Sequence, residues 1–252
     1  MRPTYLILLL LIISLGSFGQ MNDKVWAIGT PISKITFQND SVISDTFPNG
    51  TLNAFLTMGS ICDDSGNFLF CTNGIDVLNR LGQIMPHGDF LSAPPAWSNT
   101  NYNQVVQGGM PSREGVVILP KPGDPNLYYI FHYSPVDTDF IPGGYESLNL
   151  YYSVVDMTQD NGNGDIIRKN VPLVQNELLS YSRMSACRHA NGRDWWIVKN
   201  AWHENLYYTF LLDTAGIHGP FIQQMVPRMN NRVIQHSVLM EQNLPRSLGL
   251  VM

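Results

Sequence analysis

The densest group of chemically versatile side chains lies between residues 189 and 204: His189, Arg193, Asp194, His203 and Glu204. Two imidazoles and two carboxylates can bind a divalent metal or exchange protons with a substrate. Their spacing fits no known site. His203-Glu204 lacks the second histidine that a zinc-protease helix places one turn on, and the surrounding pattern is strand. The expected structure is a hairpin turn whose polar ends hydrogen-bond locally. A second group, Asp156, Asp160, Asn161, Asn163 and Asp165, surrounds Gly162 and Gly164 and is rich in the oxygens that Ca2+ prefers. An EF-hand loop needs side-chain ligands at alternate positions and a closing glutamate. Here glycines occupy two of those positions and no glutamate arrives. An Asx/Gly turn is therefore expected, with a weak Ca2+ site as the alternative and no other cofactor.

Aromatic residues crowd the same stretch: Trp195, Trp196, Trp202, Tyr207 and Tyr208. Neighbours along a strand point to opposite faces, so Trp195 and Trp196 cannot share one core layer. One packs between sheets, while the other, or Trp202, can form a platform on which a glycan ring stacks. The competing and favoured expectation is that both indoles fill inter-sheet space. The candidate binding residues are thus Trp195, Trp196, Trp202, Tyr207, His189, Asp194 and His203. The chain contains no Gly-x-Ser-x-Gly elbow, phosphate-binding glycine loop, Cys-x-x-Cys pair or dinucleotide fingerprint, so no catalytic residue is assigned.

The elements that must position these side chains are strands. Helical periodicity is nearly absent after residue 20. Short apolar or alternating runs recur between Gly, Pro, Asn and Asp, at 56–62, 68–72, 115–119, 127–133, 148–156, 184–189, 194–199 and 206–213. Three hairpins share one plan of strand, polar turn ending near a glycine, and strand. Their turns contain Gly66, Gly123 and Gly192, each placed to adopt the positive φ that such turns require. Further strands follow the second and third hairpins, at 148–156 and 166–171 and at 206–213 and 221–225. Four short antiparallel strands per unit is the plan of a propeller blade. The fold class expected is all-β, a partial β-propeller of four-stranded antiparallel blades, with a β-sandwich as the alternative. Stretches 93–109 and 134–147 are expected to be the long loops between strands.

Only 14% of the residues are charged, against about 25% in an average soluble domain. Asn, Gln, Ser, Thr, Tyr and Gly fill the difference, which suits a surface that recognises by hydrogen bonding and stacking. The net charge of −5 and the lack of a basic stripe argue against a nucleic-acid partner. Arg2, the apolar run 5–15 and Ser17-Phe18-Gly19 read as a secretory signal over residues 1–19, with one domain over 20–252. The run is too short to span a bilayer comfortably, so stable membrane insertion after cleavage is not expected. The three cysteines, Cys62, Cys71 and Cys187, read as small, partly buried apolar residues, with a Cys62–Cys71 bridge as the alternative.

Four blocks carry a resemblance: SICDDSGNFLFCTNGIDVLNR (60–80), VILPKPGDPNLYYIF (117–131), LNLYYSVVDMTQDNGNGDIIRKN (148–170) and RHANGRDWWIVKNAWHENLYYTFLLDTAGI (188–217). In this order, and with Trp26-x-x-Gly29 before them, they resemble the N-terminal, WD-repeat-like propeller region of large exported proteins of gliding-type Gram-negative bacteria. Such proteins often end in a type IX secretion sorting domain or a gliding-motility-associated C-terminal domain. The resemblance implies export, a propeller and further blades beyond residue 217, and no particular catalytic residue. Residues 243–252 do not look like a finished blade or a sorting domain, so a truncated chain is expected, with residues 233–252 packing poorly. The function expected is a secreted or cell-surface module for binding, adhesion or scaffolding, its partner a protein or glycan. The alternative is an extracytoplasmic polysaccharide hydrolase or lyase.

Overall fold

The computed structural model describes residues 21–225, except 39, 48–51, 55, 93–108, 111, 138–144 and 203. Residues 1–20, read above as a secretory signal, His203 and the stretch 226–252 therefore lie outside the described residues. The fold is all-β and antiparallel, and among the described residues no helix is long and apolar enough to cross a membrane.

Among the described residues thirteen strands form four units in chain order. Unit one is β1 (Val25–Ile28), β2 (Ser33–Gln38) and β3 (Ser41–Thr46). Unit two is β4 (Gly59–Cys62), β5 (Phe68–Thr72) and β6 (Val77–Asn79), extended by a bridge between Leu78 and Ile84. Unit three joins β7 (Val116–Pro120), β8 (Leu127–Asp137) and β9 (Tyr145–Asp156) to the first part of β10 (Asp165–Arg188). Unit four joins the last part of β10 to β11 (Trp195–Ala201), β12 (Leu206–Leu212) and β13 (Ile217–Gln224). β10 is thus shared: it pairs with β9 up to Leu179 and with β11 from Leu179 onward. Two separate strands were expected there. The stretch 134–147, expected as a loop, instead lengthens β8 to Asp137 and starts β9 at Tyr145.

Alternation along each strand decides the packing, because successive side chains face opposite neighbours. Ala27, Ile32 and Phe47 of unit one pack on Cys71 and Leu78 of unit two. Ile61, Phe70 and Val77 of unit two pack on Tyr128, Ile130 and Val155 of unit three. Phe131, Tyr133 and Leu150, on the other face of unit three, pack on Ile197, Phe210 and Leu212 of unit four. The continuous sheet of units three and four therefore folds over at Leu179. Four serially packed layers exceed the two of a β-sandwich. The opening strands of successive units are neighbours: β1 lies by β4, β4 by β7, and β7 by β10. Gly59 permits one of these approaches, since a Cβ there would sit 2.9 Å from Val116 Cγ2. The two outermost faces keep apolar side chains in solvent, Trp26, Phe37 and Val42 at one end and Phe221 at the other.

All three cysteines are free thiols; Cys62 and Cys71 are buried and Cys187 is exposed, against the expectation of partial burial for all three. Burial pushes the Cys71 thiol up to about 12 and raises that of Cys62. Only the thiolate reacts, so native protein at pH 8 should consume one equivalent of a thiol-specific reagent quickly, at Cys187. Mass spectrometry of the labelled peptides checks this; rapid labelling of Cys62 or Cys71 would contradict the packing.

Candidate functional site

The strands that run between units place the polar clusters at two opposite ends of β11. At one end, the β10–β11 turn closes on itself. Asp194 accepts from Asn191 Nδ2 at 2.6 Å and from Arg193 Nε and Nη2 at 2.7 and 3.0 Å. Asn191 Oδ1 accepts from the amides of Arg193 and Asp194, and His189 Nδ1 accepts from the Asn191 amide at 3.1 Å. The Arg193 hydrogen bonds hold the Asp194 carboxyl down at about 2. Glu204 belongs to the other end, one strand length or roughly 20 Å away. His189, Arg193, Asp194 and Glu204 therefore form no single site, as the local hairpin expectation requires.

The acidic loop disperses in the same way. Asp156 accepts from the amide and hydroxyl of Thr158 and from Gln159. Asp165 Oδ1 sits 2.8 Å from His87 Nδ1, and Asn163 Oδ1 accepts from Arg80 Nε at 3.3 Å. Asp160 and Asn161 lie in the short 3-10 turn Asp160–Gly162 with positive φ. The side-chain oxygens of Asp156, Asn163 and Asp165 are thus committed to separate partners. Among the described residues no group of three His, Cys, Asp or Glu side chains is placed to hold a metal ion.

The two adjacent indoles part, as strand geometry demands. Trp195 packs against the core between units three and four, and the Arg188 guanidinium lies 4.3 Å from its ring centroid. Trp196 occupies the outer face of unit four, beside His189 at 5.6 Å and Phe221 at 6.3 Å. Neither indole is a bare platform.

Trp202 and Tyr207 do come together. They line a cavity of about 420 Å3 with Ser180, Ser182, Asn200 and Glu204. Three local features build it. Between Leu179 and Met184 the pairing of β10 with β11 slips, so 180–183 bulges out as one wall, with Arg183 at φ 64°. The β11–β12 turn carries Trp202 and Glu204, and the amide of Trp202 is fixed by the Leu178 carbonyl at 2.8 Å. Asn200 and Tyr207 are direct cross-strand partners, so their side chains share one face. The bulge is held by Lys199, whose Nζ donates to the Ser180 and Ser182 carbonyls and lies 3.8 Å from the Tyr133 ring centroid. Lys199 is fully buried, and burial lowers its ammonium to about 7.

Asn200 is the informative wall residue. It is 9% exposed, its Nδ2 donates to the Ala201 carbonyl at 3.1 Å, and its buried Oδ1 has no hydrogen-bond partner among the described residues. A buried acceptor without a donor costs about 1–3 kcal/mol. The aromatic pair was expected from sequence; Asn200, Ser180 and Ser182 were not. The available signal was the polar pair Lys199-Asn200 interrupting the otherwise apolar strand WWIVKNA.

Comparison of the chain with protein-family models, with curated proteins and with solved structures found no match.

Proposed function

We propose that the chain is a non-catalytic, secreted or cell-surface binding module of β-propeller type that recognises a neutral glycan at the Trp202–Tyr207 cavity. The carrying observation is a mostly polar cavity of about 420 Å3 in which two aromatic side chains meet Asn200, Ser180 and Ser182. Sugars are bound by that combination: ring faces against aromatic carbon and hydroxyls against fixed amide and serine groups. Arg183 and Glu204 oppose each other in charge, which suits an uncharged ligand. The propeller reading draws support from four serially packed antiparallel units with adjacent opening strands, and from apolar outer faces of the kind that seat a next blade. The leader pattern and the low charge support export.

The hydrolase or lyase reading needs paired carboxylates across the bound sugar. Among the described lining residues Glu204 is the sole carboxylate, which favours binding without cleavage.

The test is a glycan array followed by calorimetry on the full chain. Neutral oligosaccharides should be retained, and Trp202→Ala, Tyr207→Ala and Asn200→Ala should each weaken the best of them about tenfold, near 1.4 kcal/mol. Unchanged affinity in all three variants with native circular dichroism removes the cavity from the function. Glu204-dependent release of reducing ends would transfer it to the hydrolase class.

A further inference from the structure

The hairpin turns at the opposite end of the strands build a second concavity. The β4–β5, β7–β8 and β10–β11 turns of units two, three and four converge on a groove of about 420 Å3. Its chemistry comes from Asp64, Lys121, Asp124, Arg188, Arg193 and Trp195, with a stiff wall of prolines beside Lys121.

The charges in this groove are not equally available. Arg193 is neutralised by Asp194 through two hydrogen bonds. Asp124 Oδ1 accepts from the Asn126 amide at 3.1 Å, and Asp64 Oδ1 accepts from Asn22 Nδ2 at 3.2 Å. Lys121 makes no ion pair with a described residue. Arg188 uses Nη1 on the Gly192 carbonyl at 2.6 Å and rests on the Trp195 ring, while its buried Nε has no acceptor among the described residues. A guanidinium fixed on an indole loses little freedom when an anion arrives, and its charge acts in a partly desolvated setting.

We propose that this groove binds an acidic sugar, a uronic-acid residue of an anionic polysaccharide, with Lys121 and Arg188 facing its carboxylate. An extended acidic peptide fits less well. It needs main-chain partners, and each turn closes its own: Asp63 with Asn67, Lys121 with Leu127, and His189 with Asp194. The groove therefore offers side-chain charge and ring surface in a volume suited to one or two pyranose rings. This site stands or falls independently of the cavity at the far end of β11.

The experiment is calorimetry of the full chain with tri-galacturonate, a neutral galactose trisaccharide and hexaglutamate at low and moderate salt. Tri-galacturonate should bind, weaken with salt, and lose at least tenfold affinity in Arg188→Met, which keeps the stem over Trp195, and in Lys121→Met. Trp202→Ala should leave it unchanged. The proposal is overturned by absent tri-galacturonate binding, by equal binding of the neutral trisaccharide to the Trp202→Ala variant, by tighter binding of hexaglutamate, or by full affinity in both charge-removal variants. The Lys121 variant keeps the test decisive if Arg188→Met proves unstable, because Lys121 is half-buried and holds no ion pair among the described residues.

Discussion

Replacing Lys199 by methionine should lower the unfolding free energy by about 3 kcal/mol at pH 7 and abolish a pH dependence above it. The loss follows from two backbone carbonyls, those of Ser180 and Ser182, left in a buried bulge without their donor, at about 1–3 kcal/mol each. Relief of the cost of burying an ammonium offsets part of this. The pH effect comes from the same burial. Lys199 titrates near 10.5 when unfolded and at about 7 when folded. Between those values the unfolded chain holds a proton that the folded chain has released, so wild-type stability rises with pH. About 2 kcal/mol should be gained between pH 7 and 9, given 1.36 kcal/mol per unit. Above pH 9 the buried Cys71 thiol and Tyr128 phenol, each pushed up to about 12, reverse the trend because the folded chain then keeps protons. Urea unfolding at pH 7 and 9 reads both effects. A methionine variant as stable as wild type, with the same rise, would show that the clamp contributes nothing. The variant should also weaken the Trp202–Tyr207 cavity, whose wall is the clamped bulge, and spare the Arg188 groove.

How much of this arrangement the sequence disclosed depends on how locally it is encoded. The three glycine-ended hairpins were legible because Gly66, Gly123 and Gly192 each supply a left-handed residue, with φ of 82°, 79° and 72°, between apolar runs. Unit one was not. Its β3, SVISDT, is exposed throughout, so it carries no buried stripe to mark it. The continuity of β10 was hidden for another reason. Residues 172–183 include Pro172, Asn176 and Glu177, which read as an interruption, and the strand persists only because its pairing passes from β9 to β11 at Leu179. Long-range pairing is not a property of the residues themselves. For the candidate site, the aromatic half was visible as composition, whereas the bulge that forms its wall arises from a register shift. The same limit hid the Arg188 groove, whose six working residues come from three turns spread over 64–195.

The two concavities have a common origin in the repeat. Units two, three and four send their first hairpin turns to one end of the stack. Side-by-side units therefore line up equivalent turns without any dedicated domain for binding. The packing faces between units are mostly apolar, with Lys199 and the His132 network as buried exceptions, while the turn ends carry most of the charge. Function on such a frame changes with turn residues and leaves the layers alone. A fixed core with interchangeable ends is what the low overall charge reflects, since most of the surface is strand edge and polar turn.

The interior between units two and three carries the second large effect. His132 is fully buried, with Nδ1 2.8 Å from Ser92 Oγ and Nε2 2.9 Å from Ser153 Oγ. Ser153 also accepts from the Asn170 amide at 3.0 Å, and Asn170 Oδ1 accepts from the Ser92 amide at 2.9 Å. This chain ties the residue at the end of unit two to strands β8, β9 and β10. A neutral ring donates at one nitrogen and accepts at the other, which the two hydroxyls can match. Burial, with Lys169 adding to it, pushes the imidazole down to about 3. The unfolded ring titrates near 6.5, so the stability conferred by the neutral form is complete above 6.5 and is lost as pH falls toward 3. Between pH 6.5 and 4 the loss should approach 3 kcal/mol, at 1.36 kcal/mol per unit. Asp194, ordinarily near 3.8 and held at about 2 in the fold, adds its own loss mainly below about pH 5, so the stretch from 6.5 to about 5 isolates the His132 slope. Equilibrium unfolding at half-unit steps should show the slope, and His132→Gln, which keeps an amide between the serines but cannot titrate, should flatten it. Nitrogen shifts of the wild-type ring at pH 5 supply the direct check. A protonated imidazole there, or an unaltered slope in the glutamine variant, would mean that His132 is not the buried neutral link between the units.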